Sequence, residues 1–201
     1  MKIELDRLDM PDADVMICPA YLSVTEADAY FAELMETVDW KTKSIRMFGK
    51  WVVMPRLSAW YGDPSAVYTY SGLTETPISW TDPLLKLCDR LNGDLGLSFN
   101  SVLANLYRNG LDSMGLHADD EKELGPEPII ASISLGANRK FRFKHRRIPG
   151  LSVDYLLPHG SLLLMAGATQ TYWKHELPKS RTMSEPRINL TYRTIMSAPR
   201  A

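Results

Sequence analysis

The spacing of apolar residues predicts two helices in the first half of the chain. The first is predicted over residues 24–38, where apolar side chains recur at helical intervals. Ser23 and Glu26 fit a capping box at its start, in which each side chain accepts a hydrogen bond from the other residue's backbone N–H. The second helix begins at Thr81-Asp82-Pro83, with the proline inside the first turn, and is predicted to end just before Gly93.

The pattern changes after Phe99 to short runs rich in β-branched and aromatic residues, separated by Gly, Pro and Asn turns. The main predicted strands are Asn100–Tyr107, Ile129–Leu135, Lys140–Lys144, Ser152–Leu157, Ser161–Met165, Gln170–His175 and Ile188–Ile195. Two earlier extended runs flank Phe48-Gly49, which predicts a hairpin with its turn there. Two helices followed by many short strands indicate an α+β, mainly β fold, a sandwich or jelly roll with helical support.

Length and composition indicate one ordinary globular domain. The chain has 201 residues, of which 45% are apolar and 23% charged. It contains neither an apolar run of the roughly 18 residues that a membrane span needs nor a signal-peptide pattern. Its two cysteines, Cys18 and Cys88, are far apart, so neither a disulfide framework nor a zinc cluster is suggested. We therefore expect a cytoplasmic protein without a membrane span.

The net charge of −1 argues against bulk attraction to polyanions, but the charges are segregated. Basic residues cluster in residues 41–56 and 139–147, while acidic residues concentrate in the first forty residues and in 119–127. Basic strips of this kind can bind nucleic acid locally. An ordinary solvated face explains the same composition equally well, so both interpretations stay open at this point.

A candidate metal site begins with His117 and Asp119, which lie two apart and share a face in an extended segment. The third ligand has three candidates. His145 lies in a basic run and His159 in a Pro-His-Gly turn, both poor surroundings for binding a cation, whereas His175 follows an aromatic strand and is favoured. Two imidazoles and one carboxylate are the ligands of non-haem iron oxygenases, although zinc accepts the same types. A His-x-Asp pattern also occurs by chance.

A second candidate feature is the segment Pro186–Arg193, whose alternation places four polar side chains on one face. The polar face comprises Arg187, Asn189, Thr191 and Arg193. Two buried arginines are costly without an anion, and a dicarboxylate would satisfy them through bidentate pairs. Asn105 and Tyr107 share a face of an earlier strand and add an amide and a phenol. The alternative is an antiparallel strand whose polar face is simply hydrated.

Taken together, these residues resemble the AlkB family of iron(II)- and 2-oxoglutarate-dependent dioxygenases. The matching segments are NLYRNGLDSMGLHADDEKEL, IASISLGANRKFRFKHR, LPHGSLLLM, WKHELP and PRINLTYR, with FGKWVVMPR and YGD…YTYSGL before them. The resemblance spans roughly residues 45–196 and is nearest to the branch that repairs duplex DNA.

The resemblance implies that residues 99–197 form a double-stranded β-helix, or jelly roll. It also implies that residues 1–98, which precede it in the chain, carry the helices and a nucleotide-recognition hairpin. Together they form a single domain, 1–201. It also implies that iron(II) is bound by His117, Asp119 and His175. The implied contacts of 2-oxoglutarate are Arg187 at its distal carboxylate, Arg193 near its metal-bound end, and Asn105, Tyr107, Asn189 and Thr191 around it.

The implied substrate is an N-alkylated DNA base such as 1-methyladenine or 3-methylcytosine, from which oxygen-dependent oxidation releases formaldehyde, with succinate and CO2 from the co-substrate. Asp120, Tyr68 and Tyr70 match positions around the flipped base, and Phe48 matches a residue that fills the gap in the duplex. We predict phosphate contacts at Lys50, Arg56, Arg139 and Lys140, and a monomer. Two alternatives stay open: the same chemistry on RNA or protein, and a nucleic-acid-binding module without turnover.

Overall fold

The structure is a computed structural model that describes residues 3–47, 49–70 and 73–196, without the side chains of residues 47, 68–70 and 73–75. The helices are α1 Val24–Thr37, α2 Asp82–Leu95 and the single turn α3 Thr169–Tyr172, with a 3-10 helix at Lys122–Leu124. The strands are β1 Asp6–Arg7, β2 Asp14–Cys18, β3 Lys41–Met47, β4 Lys50–Gly62, β5 Tyr68–Tyr70, β6 Leu73–Glu75, β7 Ser101–Tyr107, β8 Met114–His117, β9 Ile130–Gly136, β10 Arg139–His145, β11 Ser152–Leu157, β12 Ser161–Ala166, β13 Trp173–Leu177 and β14 Arg187–Arg193.

Two antiparallel sheets and the two long helices form three layers. The larger sheet has the strand order β1-β2-β12-β9-β14-β7-β4-β3, and the smaller one has the order β11-β10-β13-β8. One apolar cluster fills the space between the sheets and includes Ile130 and Met165 from the larger sheet and Phe143 and Trp173 from the smaller one. A second cluster joins α1 and α2 to the outer face of the larger sheet. This arrangement confirms the predicted jelly roll with helical support.

The side chains of β14 point alternately towards the helices and towards the smaller sheet. Ile188, Leu190 and Tyr192 belong to the cluster beneath the helices. The residues between them therefore point the other way, into the space between the two sheets. Because β14 lies inside the larger sheet, between β9 and β7, these inward polar side chains are also buried. A polar pocket is consequently enclosed between two apolar layers.

Helix α1 confirms its predicted start. The Ser23 Oγ accepts a hydrogen bond from the Glu26 backbone N–H at 3.3 Å, and the Ser23 N–H donates to the Glu26 carboxylate at 2.9 Å. Ala27 and Leu34 are buried on its inner face. Both halves of the capping box are present.

Helix α2 is longer than predicted. Gly93 lies inside it, and the helix ends at Leu95. Gly96 caps it with a φ of +66°, the left-handed conformation that glycine adopts without strain. The Asn92 side chain accepts from the Phe99 N–H at 2.7 Å and donates to the Phe99 carbonyl at 3.1 Å, which fixes the chain after the helix. The prediction of an end at Gly93 was therefore wrong.

The predicted strand Gln170–His175 was also wrong at its start. Thr169–Tyr172 forms a single helical turn, and the strand runs instead over Trp173–Leu177. The Thr169 hydroxyl donates to the Ala166 carbonyl at 2.6 Å and accepts from the Asp14 N–H at 2.9 Å, which holds this turn against two strands. The short strand Met114–His117 was not predicted separately.

The predicted hairpin is present, because β3 and β4 pair antiparallel with Met47 opposite Lys50. Its tip residue, Phe48, lies outside the described residues. None of the helices that the structure describes is long and apolar enough to cross a membrane. The boundary between 1–98 and 99–197 stays a prediction.

Candidate metal and co-substrate site

Three predicted ligands meet at one end of the smaller sheet. His117 ends β8 and pairs with His175 on β13, while Asp119 follows two residues after His117. Their potential ligand atoms all lie within 4.8 Å of one another. The His175 Nε2 is 3.6 Å from the Asp119 Oδ2, and the two imidazole centroids are 4.3 Å apart. The three side chains are close enough for one ion to be shared.

The histidines have the protonation state that a metal requires. The His117 Nδ1 lies 2.8 Å from the Gly115 carbonyl oxygen, so it carries the proton and leaves the Nε2 lone pair for a ligand bond. Burial lowers the pKa of His117, and burial together with His117 lowers the pKa of His175 to about 3. Both imidazoles are therefore neutral at pH 7, as metal binding demands.

Asp119 supplies the negative charge. Burial raises the pKa of Asp119, but the positive guanidinium of Arg193 and the two neighbouring histidines lower it by more than burial raises it. The pKa of Asp119 therefore falls below its ordinary range. The Arg193 Nη2 donates to the Asp119 Oδ1 at 2.7 Å. One carboxylate and two neutral imidazoles suit a divalent ion such as iron(II).

Arg187 lies deep in the same pocket with only 1% of its surface exposed. Its Nη2 donates to the Ser134 hydroxyl at 2.9 Å, and its Cζ lies 5.4 Å from the centre of the Tyr107 ring. Burial lowers the pKa of Arg187 to about 10. Within the described part of the chain its Nε has no hydrogen-bond partner. A buried cation with an unused N–H fits a carboxylate ligand.

The remaining predicted pocket residues are brought together by strand pairing. Asn189 stands opposite Asn105 on β7 and opposite Ser134 on β9. The Asn189 side-chain amide donates to the Ser132 hydroxyl at 2.7 Å, and the Thr191 hydroxyl donates to the Asn189 Oδ1 at 3.1 Å. The described residues lining this cavity are Leu103, Asn105, Tyr107, Met114, His117, Asp119, Ser132, Phe141, Met165, His175, Leu177, Arg187, Asn189, Thr191 and Arg193.

Several residues of the site were missed by the sequence reasoning. Ser132 and Ser134 alternate with buried apolar residues on β9, and that alternation could have indicated them. Gln170 could not be found in this way, because its amide oxygen reaches Asp119 from a helical turn between two strands.

Comparison with known proteins decides the family. A family model for the 2OG-Fe(II) oxygenase superfamily matches residues 14–193. The chain is 44% identical over 195 residues to the bovine protein named alpha-ketoglutarate-dependent dioxygenase alkB homolog 3, covering 92% of this chain and 68% of the relative. It is 44% identical over 181 residues to human DNA oxidative demethylase ALKBH2, covering 85% and 69% respectively. The chain belongs to the AlkB family of 2OG-Fe(II) oxygenases.

The solved structures agree with this fold. The structure of OsALKBH1 superimposes with a TM-score of 0.61 at 17% identity, covering 95% of this chain and all of that one. A 2OG-Fe(II) oxygenase-family oxidoreductase from Burkholderia pseudomallei gives a TM-score of 0.59 at 11% identity, covering 93% of this chain and 89% of that one. At such identities the likeness shows the fold alone.

The predicted base contacts of this AlkB-family chain are only partly described. The Asp120 side chain is 54% exposed, and its carboxylate lies 3.1 Å from the Arg146 Nη1, a partner that the sequence did not indicate. Phe48 and the side chains of Tyr68 and Tyr70 lie outside the described part of the structure. Their roles stay predictions.

Two of the four predicted phosphate contacts were wrong. Arg139 shares the inward face of β10 with Phe143 and is 2% exposed, and its guanidinium donates to the carbonyl oxygens of Asn109, Asp112 and Pro178. It is therefore committed to the protein interior.

Arg56 is buried as well, because it lies on the inward face of β4 with Met54 and Ser58. Its Nε donates to the Asn105 side chain at 2.8 Å. Lys50 is exposed, and Lys140 is half-exposed with its ammonium 2.8 Å from Asp154. These two lysines stay candidates for phosphate contacts.

Proposed function

We propose that this chain oxidatively dealkylates N-alkylated bases in DNA, with iron(II), 2-oxoglutarate and oxygen. The main observation behind this proposal is that a cluster of two histidines and one aspartate lines the same pocket as the buried Arg187. Family membership supports the cofactors, and relatives named as DNA oxidative demethylases support the substrate class.

The three ligands His117, Asp119 and His175 would hold iron(II) on one side, leaving positions for the co-substrate and oxygen. The bound metal supplies the oxidation of the alkyl carbon, coupled to conversion of 2-oxoglutarate into succinate and CO2. Arg187 would pair with the distal carboxylate. Arg193 would hold Asp119 in place while lying near the metal-bound end of the co-substrate.

The substrate end of the proposal follows from the chemistry of the lesion. A base methylated on its Watson–Crick edge cannot pair, so extruding it from a duplex costs less than extruding a normal base. Oxidation places a hydroxyl on the alkyl carbon, and the resulting N-hydroxymethyl group leaves as formaldehyde and restores the base. We propose that Asp120, Tyr68 and Tyr70 contact this base.

Duplex DNA is the form we propose. Trp51 and Val53 lie on one face of the hairpin strand, with 66% and 60% of their surfaces exposed. Exposed apolar side chains of this size favour insertion into a partner, and the neighbouring tip residue, Phe48, would act as the wedge. Lys50 on the same strand would contact phosphate.

We also propose a monomer, because one chain supplies all three metal ligands and both pocket arginines. The cysteines support a cytoplasmic location. Cys18 and Cys88 are free thiols, which fits a reducing compartment.

The experiment that tests this proposal compares three substrates of one sequence, each carrying 1-methyladenine: duplex DNA, single-stranded DNA and RNA. Each is incubated with the protein, iron(II), ascorbate and 2-oxoglutarate, and formaldehyde is measured. We expect formaldehyde from DNA, fastest from the duplex, and none from the Asp119→Asn variant. If no formaldehyde is released from DNA with any one of several alkyl lesions tested in turn, the proposal is rejected. Faster release from RNA than from DNA would instead indicate RNA as the substrate.

A further inference from the structure

Gln170 lies next to the candidate metal site without lining its pocket. It is 2% exposed and belongs to α3, the single helical turn inserted between β12 and β13. Its side-chain oxygen accepts a hydrogen bond from the backbone N–H of Asp119 at 2.9 Å. The two residues are 51 positions apart, so this bond joins distant parts of the chain.

The Asp119 backbone needs such a partner because strand pairing ends before it. β8 stops at His117, which pairs with His175, and the next regular element begins only at Lys122. Asp119 is nevertheless buried. A buried N–H that is left without an acceptor is unfavourable, so the Gln170 amide takes the place that a neighbouring strand would otherwise fill.

The turn that carries Gln170 is itself fastened on two sides. Thr169 bonds to the Ala166 carbonyl and to the backbone of Asp14. On the other side, the Arg146 Nη1 donates to the Gln170 carbonyl oxygen at 3.0 Å and also contacts the Asp120 carboxylate at 3.1 Å. The segment that contains Asp119 and Asp120 is therefore tied to α3 at two consecutive residues.

We propose that Gln170 is a positioning residue that fixes the backbone of Asp119 and so orients its carboxylate before a metal binds. The carboxylate then meets Arg193 with one oxygen and faces His175 with the other. Gln170 acts through Asp119, because it is absent from the residues that line the described cavity. This inference rests on the proposed metal centre and adds a residue that tunes its affinity.

The test measures binding of Mn(II), as a probe ion, to metal-free protein by titration calorimetry. Gln170→Met keeps the length of the side chain and removes its amide acceptor. We expect Mn(II) to bind roughly 10- to 100-fold more weakly, the usual effect of losing a group that orients a metal ligand. Gln170→Asn keeps an amide on a shorter side chain and should give a smaller loss of Mn(II) affinity. It is measured in place of Gln170→Met if that variant does not fold.

Thr169→Val is the matched control. Thr169 is equally buried in the same turn and makes hydrogen bonds of its own, but the structure gives it no contact with Asp119. It should lower the melting temperature as Gln170→Met does, while the Mn(II) dissociation constant stays within about twofold of the wild-type value.

Two failures are distinguishable. If the wild-type chain binds Mn(II) and the folded Gln170 variants bind it equally well, the positioning role is wrong and the metal centre stands. An equal loss of affinity in Thr169→Val would also overturn that role, because general loosening of the turn would then explain it. If the wild-type chain binds Mn(II) no better than Asp119→Asn, the metal centre itself is wrong.

Discussion

Arg193 and Asp119 form a buried hydrogen-bonded ion pair, in which Nη2 lies 2.7 Å from Oδ1. The other carboxylate oxygen, Oδ2, faces His175 at 3.6 Å. The two oxygens of Asp119 therefore differ in their surroundings, since one is held by Arg193 and the other lies beside the histidines of the candidate metal site. The pair also allows a buried carboxylate to remain ionised, because the guanidinium compensates its charge.

The first prediction concerns this ion pair. Arg193→Met should lower the free energy of unfolding of the metal-free protein by about 3–5 kcal/mol, because it leaves the Asp119 charge buried without its partner. Adding Asp119→Asn removes that charge and should recover part of the loss. Urea unfolding of both variants measures the effect. Equal stability of the single and double variants would mean that Asp119 does not depend on Arg193 for its charge.

The second prediction concerns Arg187, which lines the described pocket and whose buried Nε has no hydrogen-bond partner among the described residues. Arg187→Met should raise the 2-oxoglutarate concentration for half-maximal succinate formation by about 100-fold, because a charge-assisted bidentate contact is lost. Its Mn(II) affinity should stay unchanged, since Arg187 is not a ligand. An unaltered 2-oxoglutarate requirement would remove Arg187 from the co-substrate site.

The third prediction is a dependence of stability on pH. Burial, reinforced by His117, lowers the pKa of His175 from its ordinary 6.5 to about 3 in the folded protein. Between these values the unfolded chain binds a proton that the folded chain does not, so stability falls as the pH is lowered from 6.5 towards 3. One such group contributes a slope of about 1.4 kcal/mol per pH unit.

Urea unfolding of metal-free protein across this pH range measures that slope. His175→Gln, which cannot titrate, is the control and should show a shallower decline. A decline of equal steepness in that variant would assign the pH dependence to other groups.

The fourth prediction separates a buried arginine from an exposed lysine. Arg139→Met should destabilise the protein, because three carbonyl oxygens lose their donor, and should leave the salt dependence of DNA binding unchanged. Lys50→Ala should leave stability unchanged and reduce the slope of log affinity against log salt by about 1. Titrations of labelled duplex at several salt concentrations, below the unfolding temperature, distinguish the two. The reverse pattern would restore Arg139 as a phosphate contact.

The pocket could be predicted from the sequence wherever it depends on strand periodicity. Arg187–Arg193 alternates over seven residues, and in a buried strand this alternation alone separates a polar face from an apolar one. His117 and Asp119 could be predicted in the same way, because residues two apart in an extended segment lie on the same face. The third ligand, His175, required a choice among histidines that only their surroundings could guide.

The features of the site that the sequence did not predict depend on contacts between residues that are distant in the chain. Gln170 lies in an aromatic run with a strand-like pattern, yet Thr169 holds it in a helical turn through Asp14, which is 155 residues away in the sequence. The basic run that contains Arg139 was interpreted either as a nucleic-acid-binding strip or as a solvated face. In the strand, alternation places the first arginine of this run on the same inward face as Phe143, where backbone carbonyls that the sequence could not reveal accept its hydrogen bonds.

The most direct measurement is the coupling of base repair to co-substrate turnover. Duplex DNA containing one 1-methyladenine is incubated with the protein, iron(II), oxygen and 2-oxoglutarate, and mass spectrometry quantifies adenine restored and succinate formed. We expect about one restored adenine and one formaldehyde for each succinate above the DNA-free background, with both lost in Asp119→Asn. Succinate formation that methylated DNA does not stimulate, with the lesion intact, would contradict this expectation.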